Sequence, residues 1–120
     1  MITLPQLKKK VQRAVNAYVR ERDKGKPCIS CQRHCASYEA GHYIPEGSNN
    51  ALRYHLWNIN SQCQQCNRWK SGNLTEYRVY LVKKIGADKV EWLEEHRHDT
   101  KKWRREELEE ILERIKCGDY

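Results

Sequence analysis

Two CxxC pairs constrain the fold of this 120-residue chain more than any other feature of its sequence. The pairs lie at residues 28–31 and 63–66, and each places two thiols on one tight turn. Two such turns can supply the four thiolate ligands of a tetrahedral zinc. A redox site would require a thioredoxin-like βαβ pattern, and haem attachment would require a His directly after the pair; the sequence has neither. The spacing therefore predicts a structural zinc held by Cys28, Cys31, Cys63 and Cys66.

The spacing alone leaves part of this ligand set open. His34 and Cys35 lie close enough to Cys31 to compete with it as ligands, and Cys117 has no assigned role. A purely structural zinc ribbon separates its two pairs by about 15–20 residues, whereas 31 residues lie between Cys31 and Cys63. The longer insertion is large enough to carry a second site.

The charge of the chain is positive and unevenly distributed. The net charge is +7, and 15 basic against 5 acidic residues give residues 1–86 a net charge of +10. The cysteine pairs therefore lie in the part of the chain that can meet a polyanion such as a phosphate backbone. A basic surface that only maintains solubility is the alternative.

The compartment can be predicted from the same composition. The basic N-terminal segment has no apolar stretch of the kind that a secretory signal needs, so a reducing cytoplasm is expected. No run approaches 18 apolar residues, which predicts that the chain does not cross a membrane. With 38% hydrophobic residues and no Phe, the apolar core is modest, and the metal is expected to supply much of the stability.

Apolar periodicity predicts a single domain covering residues 1–120. At its N-terminal end, Thr3 and Gln6 form a capping-box pattern, and apolar residues then recur at helical spacing. The domain is expected to comprise an N-terminal helix within residues 1–25, a metal-binding core within residues 27–72 and C-terminal helices within residues 73–120.

The core and the C-terminal part contain shorter signals. Alternation in "YEAGHYI" predicts a knuckle and a strand pair between Pro27 and Pro45. Asn73 is predicted to cap a helix that ends at Gly86. Two further helices are predicted at about 88–96 and about 101–116. The apolar stripe of the last helix is expected to pack on its own domain, with packing on a partner as the alternative.

The insertion carries a second motif. His42, Asn58 and Asn67 occur in the order His, Asn, CxxC, Asn, with Asn58 five residues before Cys63. This order resembles the HNH nuclease motif. The resemblance implies that His42 is the general base, that Asn58 fixes the loop facing it, and that Asn67 is a ligand of a divalent ion, Mg²⁺ or Mn²⁺. Such an ion neutralises charge on a scissile phosphate while a neutral His accepts a proton from water.

The residue before the base departs from the HNH pattern. HNH enzymes usually have a metal ligand there, whereas this chain has Gly41. Glu39 is the expected substitute, because side chains two residues apart share one face of a strand. Otherwise Glu39 is an exposed strand residue, and His42 itself or His55 would hold the ion.

Longer segments resemble one phage family. From about residue 20 to 112, the pieces "RERDKGKPCISC", "EAGHY", "LRYHLWNINSQCQQCNRWKSGNL" and "YRVYLVKKIG" are similar to the NinG/Rap proteins of lambda-like bacteriophages. The resemblance implies recombination endonucleases that cut branched DNA in the host cytoplasm. It also implies an α+β fold: a small HNH-like ββα-metal core with a treble-clef zinc, flanked by N-terminal and C-terminal helices.

Contacts with DNA are predicted by residue type. Basic side chains near the second CxxC and on the first helix are expected to contact phosphates: Arg68, Lys70, Lys8, Lys9, Lys10 and Arg13. Trp69 is expected in the core, with stacking on an unpaired base as the alternative. A homodimer formed through the terminal helices would match the two-fold symmetry of a junction.

Two functions remain open at this point. The first is a metal-dependent endonuclease that cuts branched intermediates such as Holliday junctions and D-loops. The second is a non-catalytic, zinc-stabilised protein that binds DNA junctions, whose active site is lost at Gly41. Divalent-dependent cleavage that requires His42 distinguishes them.

Overall fold

The computed structural model describes residues 1–45 and 47–120, which form helices around a small two-stranded sheet. In chain order the elements are α1 (Leu4–Arg22), β1 (Glu39–His42), a 3₁₀ turn (Leu56–Asn58), β2 (Ile59–Gln62), a π-helical turn (Gln65–Trp69), α2 (Leu74–Ile85), α3 (Ala87–Glu95) and α4 (Arg105–Lys116). The fold is therefore mixed α and β, and none of the helices described is long and apolar enough to cross a membrane.

Helix α1 begins with the predicted cap. Thr3 accepts a hydrogen bond from the backbone N–H of Gln6, and the Gln6 side chain accepts one from the Thr3 backbone N–H. Two backbone donors at the helix start are thereby satisfied. The buried face of α1 contacts α4, Tyr54 and Ile59, so the last helix packs on its own domain, as predicted.

The sheet differs from the prediction. Only β1 lies between Pro27 and Pro45, and its antiparallel partner is β2, which follows a long connection. Gly41 pairs with Asn60 and His42 with Ile59. The prediction of a strand pair within 27–45 is wrong, because alternation identifies a strand but not the segment that supplies its backbone hydrogen bonds.

Asp23, at the end of α1, joins three elements. It is buried, and its carboxylate accepts hydrogen bonds from the Ser61 backbone N–H, Arg22 and Lys84 at 2.9–3.0 Å. Burial alone would raise the pKa of Asp23, but these donors lower it to about 2. The ionised carboxylate therefore links α1 to β2 and α2.

A second apolar cluster holds α2 and α3 against the connection between the strands. Its fully buried members include Tyr77, Leu81, Val90 and Leu93. The Tyr77 hydroxyl donates to the Gly41 carbonyl at 2.6 Å. The backbone of β1 is therefore fixed from the α2 side.

Candidate metal centre and adjoining site

The four cysteines of the two CxxC pairs converge on one point. The Sγ atoms of Cys28, Cys31, Cys63 and Cys66 all lie within 4.8 Å of one another. Cys31 Sγ and Cys63 Sγ are 3.8 Å apart, which is about the edge of a tetrahedron with Zn–S bonds of about 2.3 Å. The cluster can therefore bind a metal such as zinc. It is the only cluster of three or more His, Cys, Asp or Glu ligands in the described residues, and neither His34 nor Cys35 belongs to it.

Backbone hydrogen bonds shape both turns that carry these thiols. In the first turn, Gln32 has φ +61°, and its backbone N–H donates to the Cys28 carbonyl at 2.9 Å. In the second, the Cys66 N–H points at Cys63 Sγ at 3.4 Å, and the Asn73 side chain contacts Cys66 Sγ at 3.6 Å. Such donors stabilise thiolates. Asn73 occupies the predicted cap position of α2. Its side-chain amide does not cap the helix but donates to the sulfur of Cys66.

The cysteine thiols differ in acidity without a metal. Burial raises the pKa of Cys66 to about 12. Burial also opposes ionisation of Cys31, but hydrogen bonds from the backbone and side chain of Arg33 lower its pKa to about 6. Metal binding deprotonates all the thiol ligands. Ionisation is most costly for a buried thiol such as Cys66, so that thiol would gain more from a bound cation than Cys31 would.

His42 lies on β1 with its ring orientation set by the backbone. Its Nε2 is 2.9 Å from the carbonyl oxygen of Arg53. Since a carbonyl can only accept, Nε2 carries a hydrogen and donates it to Arg53. Gln12 Nε2 is also close, at 3.3 Å, and donates to Asn16 at 2.9 Å. The Arg53 carbonyl therefore fixes the orientation of the ring.

His42 and Asn67 line one surface depression of about 260 Å³. Its other lining residues are Ala40, Pro45, Ser71, Gly72 and Leu74. His42 comes from β1, and Asn67 comes from the π-helical turn after the second cysteine pair. Two of the predicted site residues are thus brought to one cavity by different elements.

Asn58 is fully buried and clamps the connection between the strands. Its Oδ1 accepts from the Ile44 backbone N–H at 2.7 Å, and its Nδ2 donates to the carbonyls of Ile44 and Leu52 at 3.0 and 3.3 Å. The chain bearing the Arg53 carbonyl is therefore fixed close to His42. Asn58 itself is too deeply buried to touch a substrate.

Glu39 lies beside Asn67 and is engaged by two donors. Asn67 Nδ2 donates to Glu39 Oε1 at 2.9 Å, and Arg68 Nε donates to the same oxygen at 3.1 Å while forming an ion pair with Oε2. Partial burial opposes ionisation, but these donors lower the pKa of Glu39. The Asn67 side chain therefore faces the Glu39 carboxylate with its amide nitrogen, and Arg68 neutralises the carboxylate.

Gln62 occupies the side of β1 on which Gly41 has no side chain. A Cβ at position 41 would overlap Gln62 Oε1 and would lie 2.9 Å from Gln62 Cδ. Gln62 is fully buried, and its Nε2 donates to Ser30 Oγ at 2.8 Å and to the Gly72 carbonyl. The space that a side chain at position 41 would need is therefore filled by Gln62.

His55 lies in an aromatic group. Its Nδ1 accepts from the Trp57 backbone N–H at 3.1 Å, and its ring packs against Trp57 and Trp92. Neither His55 nor His42 belongs to a ligand cluster within the described residues. The structure therefore places the His55 ring in this packing, and the alternative in which His55 joins a metal site stays a prediction.

Sequence comparison identifies the family. The family model described as "Bacteriophage Lambda NinG protein" matches residues 3–118. The chain belongs to the NinG family. It is 44% identical over 104 residues to Protein ninG of Escherichia phage lambda and to Protein ninG of Salmonella phage P22, covering 86% of this chain. It spans about half the length of these relatives, 50% and 51% respectively. No solved structure shows significant similarity to it.

The basic residues of this NinG-family chain lie on two surfaces. Lys9, Lys10, Arg13 and Lys70 are exposed, whereas Lys8 is partly buried and bonds to Ser48 and Asn49. Lys8 and Lys9 line a depression of about 280 Å³ together with Arg53. The basic face of α1 is therefore connected to the His42 site through Arg53.

Two residues near His42 were missed by sequence reasoning. Gln12 is buried in α1, and its Oε1 accepts from Arg53 Nε at 3.0 Å. Gln12 thus positions the chain whose carbonyl holds His42. The only sequence signal is a polar residue within the apolar stripe of a helix, between Val11 and Val15.

Trp69 contradicts the expectation that it lies in the core. It ends the π-helical turn, and 78% of its surface is exposed. The turn ends directly after it instead of continuing as a helix, so the side chain is carried away from the core.

Proposed function

We propose that this chain is a metal-dependent, structure-selective DNA endonuclease that cuts branched recombination intermediates such as Holliday junctions and D-loops. The observation that carries the proposal is the pairing of His42 and Asn67 at one depression, with His42 Nε2 held by the Arg53 carbonyl. In this proposal the His42 imidazole takes a proton from water while the Arg53 carbonyl fixes the orientation of its ring.

Metal dependence is supported by the donor types beside this depression. A carboxylate and a carboxamide oxygen, from Glu39 and Asn67, are ligand types that Mg²⁺ and Mn²⁺ prefer. A bound divalent ion would neutralise charge on the scissile phosphate and on the leaving oxygen. In this chain Arg68 holds the Glu39 carboxylate ionised.

The cysteine cluster has a separate role in the proposal. A zinc held by Cys28, Cys31, Cys63 and Cys66 would fix the start of the turn that carries Asn67. Four thiolates leave no open position for substrate, so this ion would be structural. The active site therefore depends on it only through folding.

DNA is proposed as the substrate because basic residues adjoin the residues of the site. Lys70 is exposed and lies in the chain between Asn67 and Ser71, which line the depression, and Lys8 and Lys9 line a second depression together with Arg53. Contacts of this kind position a phosphate backbone without reading sequence. Two copies acting on a two-fold symmetric junction would produce paired nicks, and both copies would act in the cytoplasm of the host cell.

A non-catalytic junction-binding protein is the second candidate. It is favoured by Gly41, whose missing side chain is replaced by buried Gln62, and by the ion pair that engages Glu39. Such a protein would keep the cysteine cluster and the basic surfaces. It would have no use for the proton-accepting nitrogen of His42.

Cleavage of a labelled four-way junction tests the proposal. The junction, a D-loop and a matched linear duplex are incubated at about 0.15 M salt, where non-specific binding is moderate, with Mg²⁺, with Mn²⁺ or with no added divalent ion. We expect divalent-dependent nicking of the branched DNAs, lost in His42→Ala and retained in His98→Ala, a control at an exposed histidine. Tight junction binding without cleavage in either metal would establish the second candidate instead.

A further inference from the structure

Trp69 is an exposed aromatic side chain without a packing partner in the described part of the chain. Its exposed fraction is 78%, against 37% for Trp92 and 9% for Trp103. Trp57, Trp92 and Trp103 each pack against another ring, whereas no ring or cation packs against Trp69 among the residues described. Both faces of this ring are therefore open to solvent, and a tryptophan ring offers a large apolar surface for contact with a ligand.

The loop that carries Trp69 is held in one conformation. Three consecutive residues after it adopt left-handed backbone angles: Ser71 (φ +49°), Gly72 (φ +88°) and Asn73 (φ +46°). Residues other than glycine rarely adopt left-handed backbone angles unless their surroundings impose them.

Hydrogen bonds to Cys66 and to neighbouring residues hold the loop in this conformation. The Gly72 N–H donates to the Cys66 carbonyl, and the Asn73 N–H donates to the Lys70 carbonyl, both at 2.8 Å. The Gly72 carbonyl in turn accepts from Ser30 and Gln62. Trp69 therefore projects from a loop whose two ends are anchored, so little conformational entropy is lost when it binds.

The position of this loop indicates what Trp69 contacts. Asn67, Ser71 and Gly72 line the depression that contains His42, and Trp69 lies between them in the chain. Its neighbour Lys70 is cationic and exposed, whereas its other neighbour, Arg68, is paired with Glu39. An exposed aromatic ring beside a cation is suited to a nucleotide, because the ring can stack on a base while the cation meets a phosphate.

We infer that Trp69 stacks on an unpaired nucleobase at a DNA branch, beside the His42 depression, and thereby favours branched over linear DNA. The inference rests on the proposed function for the substrate class. Bases in a linear duplex are already paired and stacked, so only a branch or fork offers a free face to the ring. Lys70 meets phosphates in both kinds of DNA and does not distinguish them.

Fluorescence of a modified fork tests this assignment without cleavage. 2-Aminopurine is placed at the first unpaired nucleotide of a forked duplex, and binding is measured without added Mg²⁺ or Mn²⁺ for the wild type, Trp69→Ala, Trp69→Leu and Trp69→Phe. We expect the wild type to quench the probe and to bind the fork more tightly than the matched linear duplex. Trp69→Ala and Trp69→Leu should lose the quenching and on the order of tenfold in fork affinity, with linear affinity unchanged. Trp69→Phe should retain part of both.

Lys70→Ala is the matched control, because it should weaken fork and linear binding to the same extent and leave the quenching at saturation intact. The inference is overturned if Trp69→Leu keeps the wild-type fork preference and quenching, or if the wild type shows neither. It is also overturned if Trp69→Ala instead abolishes self-association measured by light scattering. Junction cleavage that persists alongside such a result would leave the proposed endonuclease standing. Quenching without cleavage in any metal would remove the endonuclease and keep the stacking assignment.

Discussion

The buried side chain of Gln62 occupies the space that any side chain at Gly41 would need. A Cβ on Gly41 would overlap Gln62 Oε1, and that oxygen is the only buried side-chain polar atom without a hydrogen-bond partner in the described residues. Gln62 cannot move aside at no cost, because its Nε2 is bonded to Ser30 and to the Gly72 carbonyl. Gly41 and Gln62 therefore form one structural unit across the two strands.

Gly41→Ala is accordingly expected to destabilise the fold. Overpacking of a buried site costs about 1–3 kcal/mol, measured as the loss in free energy of unfolding in urea. The double variant Gly41→Ala, Gln62→Ala should be more stable than the sum of the two single losses, because removing Gln62 relieves the overlap. Gly47→Ala is the control, since nothing lies within 4 Å of its Cβ position. Additive losses in the double variant would contradict the coupling.

The same pair shows how far sequence reasoning reached. Spacing was sufficient for the cysteine cluster, and periodicity and capping were sufficient for α1, because these signals depend on residues close together in the chain. The sequence also showed that Gly41 has no side chain with which to bind a metal. That Gln62 fills its place depends on the pairing of β1 with β2 across a long connection, which no local pattern encodes.

Sequence reasoning placed Trp69 wrongly and missed Gln12. Trp69 was expected in the core because tryptophan is usually largely buried, but the left-handed loop after it ends the turn and carries it into solvent. Gln12 was missed because its partner Arg53 is 41 residues away. A long-range contact of one polar side chain therefore accounts for Gln12, whereas the backbone conformation of the loop accounts for Trp69.

Removal of the metal is expected to unfold the chain. Zinc bound to four thiolates contributes on the order of 10 kcal/mol, which is comparable to the whole stability of a domain of this size. We expect one zinc per chain by elemental analysis, and loss of the helical circular dichroism after treatment with a strong chelator or in Cys66→Ser. Cys117→Ser is the control, because Cys117 is exposed and lies outside the cluster. A metal-free protein that melts like the untreated one would contradict a structural zinc.

Stability should also depend on the protonation of His55. The pKa of His55 is lowered by burial, and its Nδ1 accepts from the Trp57 N–H, which a protonated ring cannot do. Lys89 Nζ lies 5.1 Å from the Trp57 ring, and the His96 ring packs on Trp92. The unfolded chain therefore binds the proton more readily than the folded one.

The sign of the pH effect follows from that difference. The stabilising contribution of neutral His55 is fully present above its unfolded pKa of about 6.5 and is lost as the pH falls through the lower pKa of the folded state. Urea unfolding between about pH 7.5 and about pH 5.5 should show that the free energy of unfolding decreases as the pH falls. The decrease should be less steep in His55→Asn, which keeps an acceptor for the Trp57 N–H. His98→Asn controls for removal of an exposed histidine. NMR titration of the His55 ring gives the pKa directly, and a value at or above that of the unfolded chain would remove the basis of the prediction.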